Sequence, residues 1–184
     1  MLISLNSLSQ KDPNIFLTNL CPRYNNGIGE SKGINIELNV PCEWGNVVNN
    51  MNHGIFKYNY QSYEGDIGVL ATEALIVADL GSTTNEDAKY LITESGLRLM
   101  TKGATGAYIS FNYFLVNNSK AGQVVIKNEL KKQDGIYLHY TVQDYVVYKR
   151  KLILVQYTIT AKSDKLCRKY LVLFDALINK TKLK

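Results

Sequence analysis

Histidine, tryptophan, proline and cysteine are all scarce in this chain, and each shortage closes a route. Two His, one Trp, three Pro and three Cys are spread over 184 residues. Neither His53 nor His139 has a Cys, His or Asp at metal-ligand spacing, and Cys21, Cys42 and Cys167 stand far apart. No zinc-type ligand set can be read from them. A Cys42–His53 nucleophile pair would lack a third group to orient the base. No run of 18 apolar residues exists, which excludes a transmembrane helix. Gly27-Ile28-Gly29 and Gly103-Ala104-Thr105-Gly106 lack the phosphate-loop Lys and the strand–loop–helix order. Glu43, Glu64, Asp66 and Glu73 are close in sequence and read as loop and edge solvation. Glu64-Gly65-Asp66 lacks the dense Asp/Asn spacing of a calcium loop. The expectation is a protein with no catalytic residue, no metal and no cofactor, and hence not an enzyme.

What is abundant is tyrosine, with 13 Tyr against five Phe. Tyr packs its ring and still keeps its hydroxyl in water, so it suits half-exposed sheet faces and interfaces. The length suits one domain that buries roughly two-thirds of its unfolded surface without help from metal or disulfide. Charge is uneven: residues 1–92 hold five Lys+Arg against ten Asp+Glu, and residues 93–184 hold 16 against six. The Lys and Arg are scattered, with no run long enough for a phosphate track. The basic half therefore reads as solvated surface, and a nucleic-acid partner is not expected.

The chain is organised around residues 123–160. Val124, Ile126 and Leu130 alternate with Val125, Lys127 and Glu129, and the pattern resumes after Asp134-Gly135 and again after Lys149-Arg150. Period-two alternation cut by short turns predicts an antiparallel meander of three strands. Upstream, Ile34 to Val40, Phe56 to Tyr60, Ile67 to Val77 and Ala107 to Val116 read as further strands, with Pro41 ending the first. Phe56, Tyr58 and Tyr60 share one face and read as core. Asn117 to Gly122 reads as a turn. Thr84, with Asp87 three residues on, predicts a cap for a first helix with Ala88, Leu91, Ile92, Ser95 and Leu99 as its apolar stripe. Asp164 predicts the cap of a last helix whose stripe is Cys167, Tyr170, Leu171, Phe174, Leu177 and Ile178. Lys180, Lys182 and Lys184 would complement its dipole. His139, alternating with Leu138, is expected to face solvent or a helix edge. The fold class that follows is α+β: a twisted antiparallel sheet of about six or seven strands, covered by helices.

Residues 1–32 are rich in turn formers and read as an irregular arm, tucked down by Ile15, Phe16, Leu17 and Leu20. Met1 to Ser9 resembles the tail of a secretory signal peptide, without the basic start or most of the apolar core of one. Export, to a periplasmic or membrane-associated place, is the expectation from it. Cys21 and Cys42 could pair, leaving Cys167 on a helix, but spacing cannot establish this.

Gly33 before the alternating strand, the Pro41-Cys42-Glu43-Trp44 step, the Ser119-Lys120-Ala121-Gly122 turn and the closing strand with its terminal helix together resemble the PsbP-like family. That family includes the extrinsic photosystem II subunit, a Ran-binding import factor and small bacterial proteins. The likeness covers about residues 33–180, and 33–184 is read as a single PsbP-like domain. It implies an α/β/α sandwich that serves as a binding or assembly module for another protein, and it carries over no functional residue. From the residues themselves, the candidate surface is Tyr145, Tyr148, Lys149 and Arg150, aromatic and basic groups around one turn. Two other readings stand beside it. One is a carrier or chaperone with an apolar pocket between sheet and helix; the other is an enzyme with an inconspicuous carboxylate site.

Overall fold

The long alternating stretch forms three strands in immediate succession, β7 (Ser119–Lys132), β8 (Gly135–Tyr148) and β9 (Lys151–Ala161). The computed structural model describes residues 12–25, 31–46, 54–64, 67–81 and 88–184. Ahead of the meander come β1 (Leu20–Tyr24), β2 (Ile36–Pro41), β3 (Gly45–Asn46), β4 (Gly54–Glu64), β5 (Ile67–Asp79), α1 (Glu94–Met100) and β6 (Ala107–Val116). Behind it come α2 (Asp164–Ile178) and β10 (Lys182–Leu183). Seven strands make one antiparallel sheet in the order β3-β4-β5-β9-β8-β7-β6. The expected α+β class holds, with β5 inside the sheet between β4 and β9.

The hairpin turns explain the register. Asn117 and Asn118 (φ 47° and 63°) turn β6 into β7, and Lys149 and Arg150 (φ 47° and 59°) turn β8 into β9. Two left-handed residues in succession match the twist of the strands they join. Asn accepts that conformation readily; Lys and Arg do so at a cost. The turn expected over 117–122 is thus only two residues long, and Ser119 to Gly122 already belong to β7. Gly122 eases the packing there. A Cβ on it would come within 3.0 Å of Ile92 and Leu97 side-chain carbons, so its absence lets the α1 segment close on the sheet.

A correction concerns the first alternating strand. Ile36 to Pro41 does not join the large sheet but is the middle of a second one, in the order β1-β2-β10. The arm read as irregular supplies its outer strand, preceded by a 3-10 helix (Pro13–Thr18) capped by Asp12. Phe16 is buried against Trp44 and Tyr60, while Ile15 points out. Cys21 and Cys42 are joined as a disulfide that ties the β1 end to the residue after β2. Closing a loop of this length is worth about 3 kcal/mol. Cys167 is buried and free.

Helices α1 and α2 lie on opposite faces of the large sheet. α2 covers the face that carries Leu75, Tyr140, Val142, Ile153, Val155 and Ile159, and the small sheet packs beside it with Ile36, Leu38 and Val40. Its cap is Ser163, whose Oγ accepts from the Leu166 amide, one residue before the expected Asp164. Asp164 instead sits in the first turn and accepts from the Tyr140 hydroxyl (2.6 Å), Lys127 (2.9 Å) and Arg168 (2.7 Å). These partners hold its carboxyl well below the usual range. Lys182 lies in β10 rather than at a helix end, and both it and Lys184 pair with the buried Glu37.

On the other face, Ala88 and Lys89 are helical, the chain turns over 90–93, and α1 begins at Glu94. Thr93 caps it by accepting from the Gly96 amide, and the expected Thr84–Asp87 start lies outside the described residues. Ala88 and Ile92 are buried as expected, but Leu97 rather than Leu99 enters the core. A bulge between Tyr108 and Ser110 resets the alternation of β6. Tyr108 and Phe111 therefore both pack under α1, with the Arg98 guanidinium over both rings. Ile109 is set at that bulge and exposed.

Candidate functional site

The four residues singled out around the last hairpin do not form one surface. Tyr145 is 5% exposed, in the cluster beneath α1, and its hydroxyl donates to Gln143 Oε1. Burial pushes its phenol up to about 12. Tyr148, three residues on, projects from the opposite face and packs against the α2-side core. Lys149 lies over the Tyr148 ring at 5.0 Å, while Arg150 turns away to donate to the Gly81 carbonyl. Tyr148 and Lys149 remain together; Tyr145 is out of their reach.

Alternation in the meander builds a different surface. Odd residues of β8 and even residues of β9 share a face with the even residues of β5. α1 covers only one half of that face, over Val124, Tyr145, Val147 and Leu154. Across the other half run polar cross-strand pairs. Thr72 Oγ1 meets Thr158 Oγ1 at 2.6 Å, and Gln143 donates to Gln156 at 2.8 Å. His139 Nδ1 meets Thr160 Oγ1 at 2.7 Å, and its Nε2 lies 3.2 Å from Thr141 Oγ1. Burial lowers the His139 pKa, so the ring is neutral near pH 7 and both nitrogens serve these neutral partners. The expectation that His139 faces away from Leu138 holds, but it faces a sheet surface rather than bulk water or a helix edge.

At the end of this open half is a cleft of about 500 Å³ bounded by Leu70, Leu130, Tyr137, His139 and Thr160. Tyr137 donates to Asp134, and Lys132 and Lys162 each contact its ring, at 4.5 and 5.1 Å. Lys162 also bridges Asp134 at 3.0 Å. The cleft is a recess of the sheet face and does not lie between sheet and helix. There, Tyr140, Tyr157, Leu173, Phe174 and Leu177 fill the space beneath α2. Among the described residues, the space directly beneath α2 is filled, and the opening at that seam is a small cleft at the edge, lined by Asn112, Gln123 and Asp175 as well as Phe114 and Ile178.

The structure also brings together a buried polar row that sequence reading missed. Asn112, Gln123 and Asp144 stand opposite one another on β6, β7 and β8. Asn112 donates to Gln123, and the Gln123 amide donates to both Asp144 (3.0 Å) and Asp175 of α2 (2.8 Å). Next to this row, Glu73 and Tyr157 are opposed on β5 and β9. Glu73 is therefore buried, contrary to the solvated-edge reading, and neither of its oxygens has a hydrogen-bond partner. Burial pushes its carboxyl up to about 8, and raises that of Asp144 as well. An acid in the middle of each of two strands, on the core parity, was the signal that could have found them.

This arrangement offers little for bond chemistry. A second cleft, of about 260 Å³, reaches Gln123 and Asp175 but is not lined by Glu73 or Asp144. Cys42, the conceivable nucleophile, is consumed in the disulfide, while His53 and the Glu64–Asp66 loop lie outside the described residues. Among the described residues, no group of three metal-ligating side chains comes together, and no helix is long and apolar enough to cross a membrane.

No family model matches the chain, and no curated protein matches it. Two solved structures share its shape over nearly their whole length. One is LpqN, a protein involved in cell envelope biogenesis of Mycobacterium tuberculosis, with a TM-score of 0.54 and 13% identity. The match spans 96% of this chain and 99% of that one. The other is cyanobacterial PsbP (CyanoP) from Synechocystis, with a TM-score of 0.51 and 11% identity, over 90% of this chain and 93% of that one. At such identities the likeness speaks to the fold.

Proposed function

We propose, from the premise that this chain has a PsbP-like fold, that it is a non-enzymatic binding or assembly module that docks another protein. One observation supports this above the others: among the described residues no helix covers half of a large sheet face, and that half is lined with paired, half-buried Thr, Gln and His side chains. A side chain whose polar atoms are already satisfied by a neighbour loses little on desolvation, so such a surface can be covered at low cost. Lys132 and Lys162, folded over the buried Tyr137 ring, give its border a polar rim. An exported location accompanies the proposal. It draws support from the Cys21–Cys42 disulfide, which suits an oxidising compartment, and from the cell-envelope role of LpqN.

The test is co-purification from the native organism with the wild-type chain and with Thr158→Arg. Thr158 is central to that half and packs under neither helix; the variant loses the bond to Thr72, so circular dichroism and a melt first establish that it is folded. Loss of a specifically retained protein in the variant is the expected result. Equal recovery of every retained protein with a folded Thr158→Arg chain would remove this face from consideration.

A further inference from the structure

β6 forms one edge of the large sheet and pairs only with β7. Its ten residues, Ala-Tyr-Ile-Ser-Phe-Asn-Tyr-Phe-Leu-Val, contain no charge and no proline. Alternate N–H and C=O groups of an antiparallel edge strand point outward, and among the described residues nothing else pairs with them. Natural sheets guard such edges with charge, proline or brevity. The other edges here are guarded in those ways. β1 contains Pro22 and Arg23; β3 and β10 are two residues long, and β10 carries Lys182; β4, beyond the short β3, has Lys57 and Glu64 in its sequence. β6 keeps only the bulge at its first turn of residues, and Ile109, Tyr113 and Leu115 are 45%, 54% and 61% exposed along it.

We infer that β6 pairs antiparallel with β6 of a second copy of this chain, joining two seven-stranded sheets into one across a two-fold axis. One feature favours a copy over an unrelated strand. The strand is nearly self-complementary about its middle. An axis at Asn112 sets Phe111 of one copy opposite Tyr113 of the other, and Ser110 opposite Phe114, giving aromatic cross-strand pairs on one face. An antiparallel pair of edges closes as a dimer and leaves no free β6, so it does not propagate into a fibre. The inference is independent of the open face proposed above, which lies at the other strands.

Sedimentation equilibrium tests it. The wild-type chain is expected at twice the mass of the 20.7 kDa monomer. Tyr113→Lys with Leu115→Lys, both changed at exposed positions, places four Lys around the axis. At least about a hundredfold weakening of the dimer is expected, the order set by several like-charge contacts. Hydrogen exchange on the wild-type chain gives a second reading: amides within 107–116 should slow as concentration rises, and those of β1 should not. A wild-type chain that stays monomeric up to its solubility limit would overturn the inference. So would a dimer that persists in the folded double variant, or β6 amides whose exchange ignores concentration.

Discussion

Replacing Glu73 with Gln should leave the melting temperature unchanged at pH 4.5 and raise it by roughly 10 °C at pH 9, using the usual conversion for chains of this size. The buried carboxyl titrates near 8 in the folded protein against an ordinary value of 4.5. Burial raises it, and the Tyr157 hydroxyl beside it, not aligned for a hydrogen bond, pulls it only partway back. Below 4.5 both states hold the proton, and the group has no effect on stability. Between 4.5 and 8 the unfolded chain releases its proton while the folded one keeps it, so stability falls with rising pH. Above 8 the loss is complete, on the order of 4 kcal/mol. Gln fills the same space without a charge to desolvate, and its profile lacks this fall. Asp144 also titrates high and remains in both proteins, so it drops out of the difference. Thermal melts of the two proteins from pH 4.5 to 9 decide the matter: parallel curves would mean that Glu73 is not held neutral.

Phe174→Ala should lower stability by about 3–5 kcal/mol, the usual cost of emptying a fully buried aromatic site. Phe174 stacks on Tyr157 at 4.9 Å with 15° between the rings and meets Tyr170 at 6.1 Å. It packs α2 onto the centre of the sheet. Urea titration should show a lower midpoint with an unchanged slope. A loss below about 1 kcal/mol would mean that α2 is held chiefly by its polar ends, Asp164 and Asp175. The cavity would also open beside Tyr157 and admit water near Glu73. The dependence on pH described for Glu73 should therefore weaken in this variant.

Much of this architecture was legible in the residues, and the limits have physical causes. The β7–β9 meander reads clearly because each strand is long enough for alternation to outweigh local preference. The α2 stripe reads for the same reason at helical spacing. β1 and β10 do not read, because five residues with a proline, or two residues, carry no period. Around α1, several Ser and Thr offer caps at similar spacing, and the structure uses Thr93. The candidate surface fared worse. Tyr145 was placed with Tyr148 because they are near in sequence, yet opposite parity sends them to opposite faces, and α1 then buries Tyr145. The open polar half was implicit in Thr141 and Gln143 lying across from Thr158 and Gln156. Recognising it required knowing that α1 stops short of them.

The order of strands also bears on how the chain acquires its shape. From β6 through β9 each strand pairs with the next along the chain, so these four can zip up through short loops. The β5–β9 seam is different: it ties Leu70 to Thr160 and Asp79 to Lys151, and must close a loop of about seventy residues. Contacts with that much entropy to overcome form late. The N-terminal half should thus dock as a finished hairpin on a C-terminal scaffold already assembled. Weakening the seam, as with Ala71→Gly, should quicken unfolding while leaving the refolding rate nearly untouched.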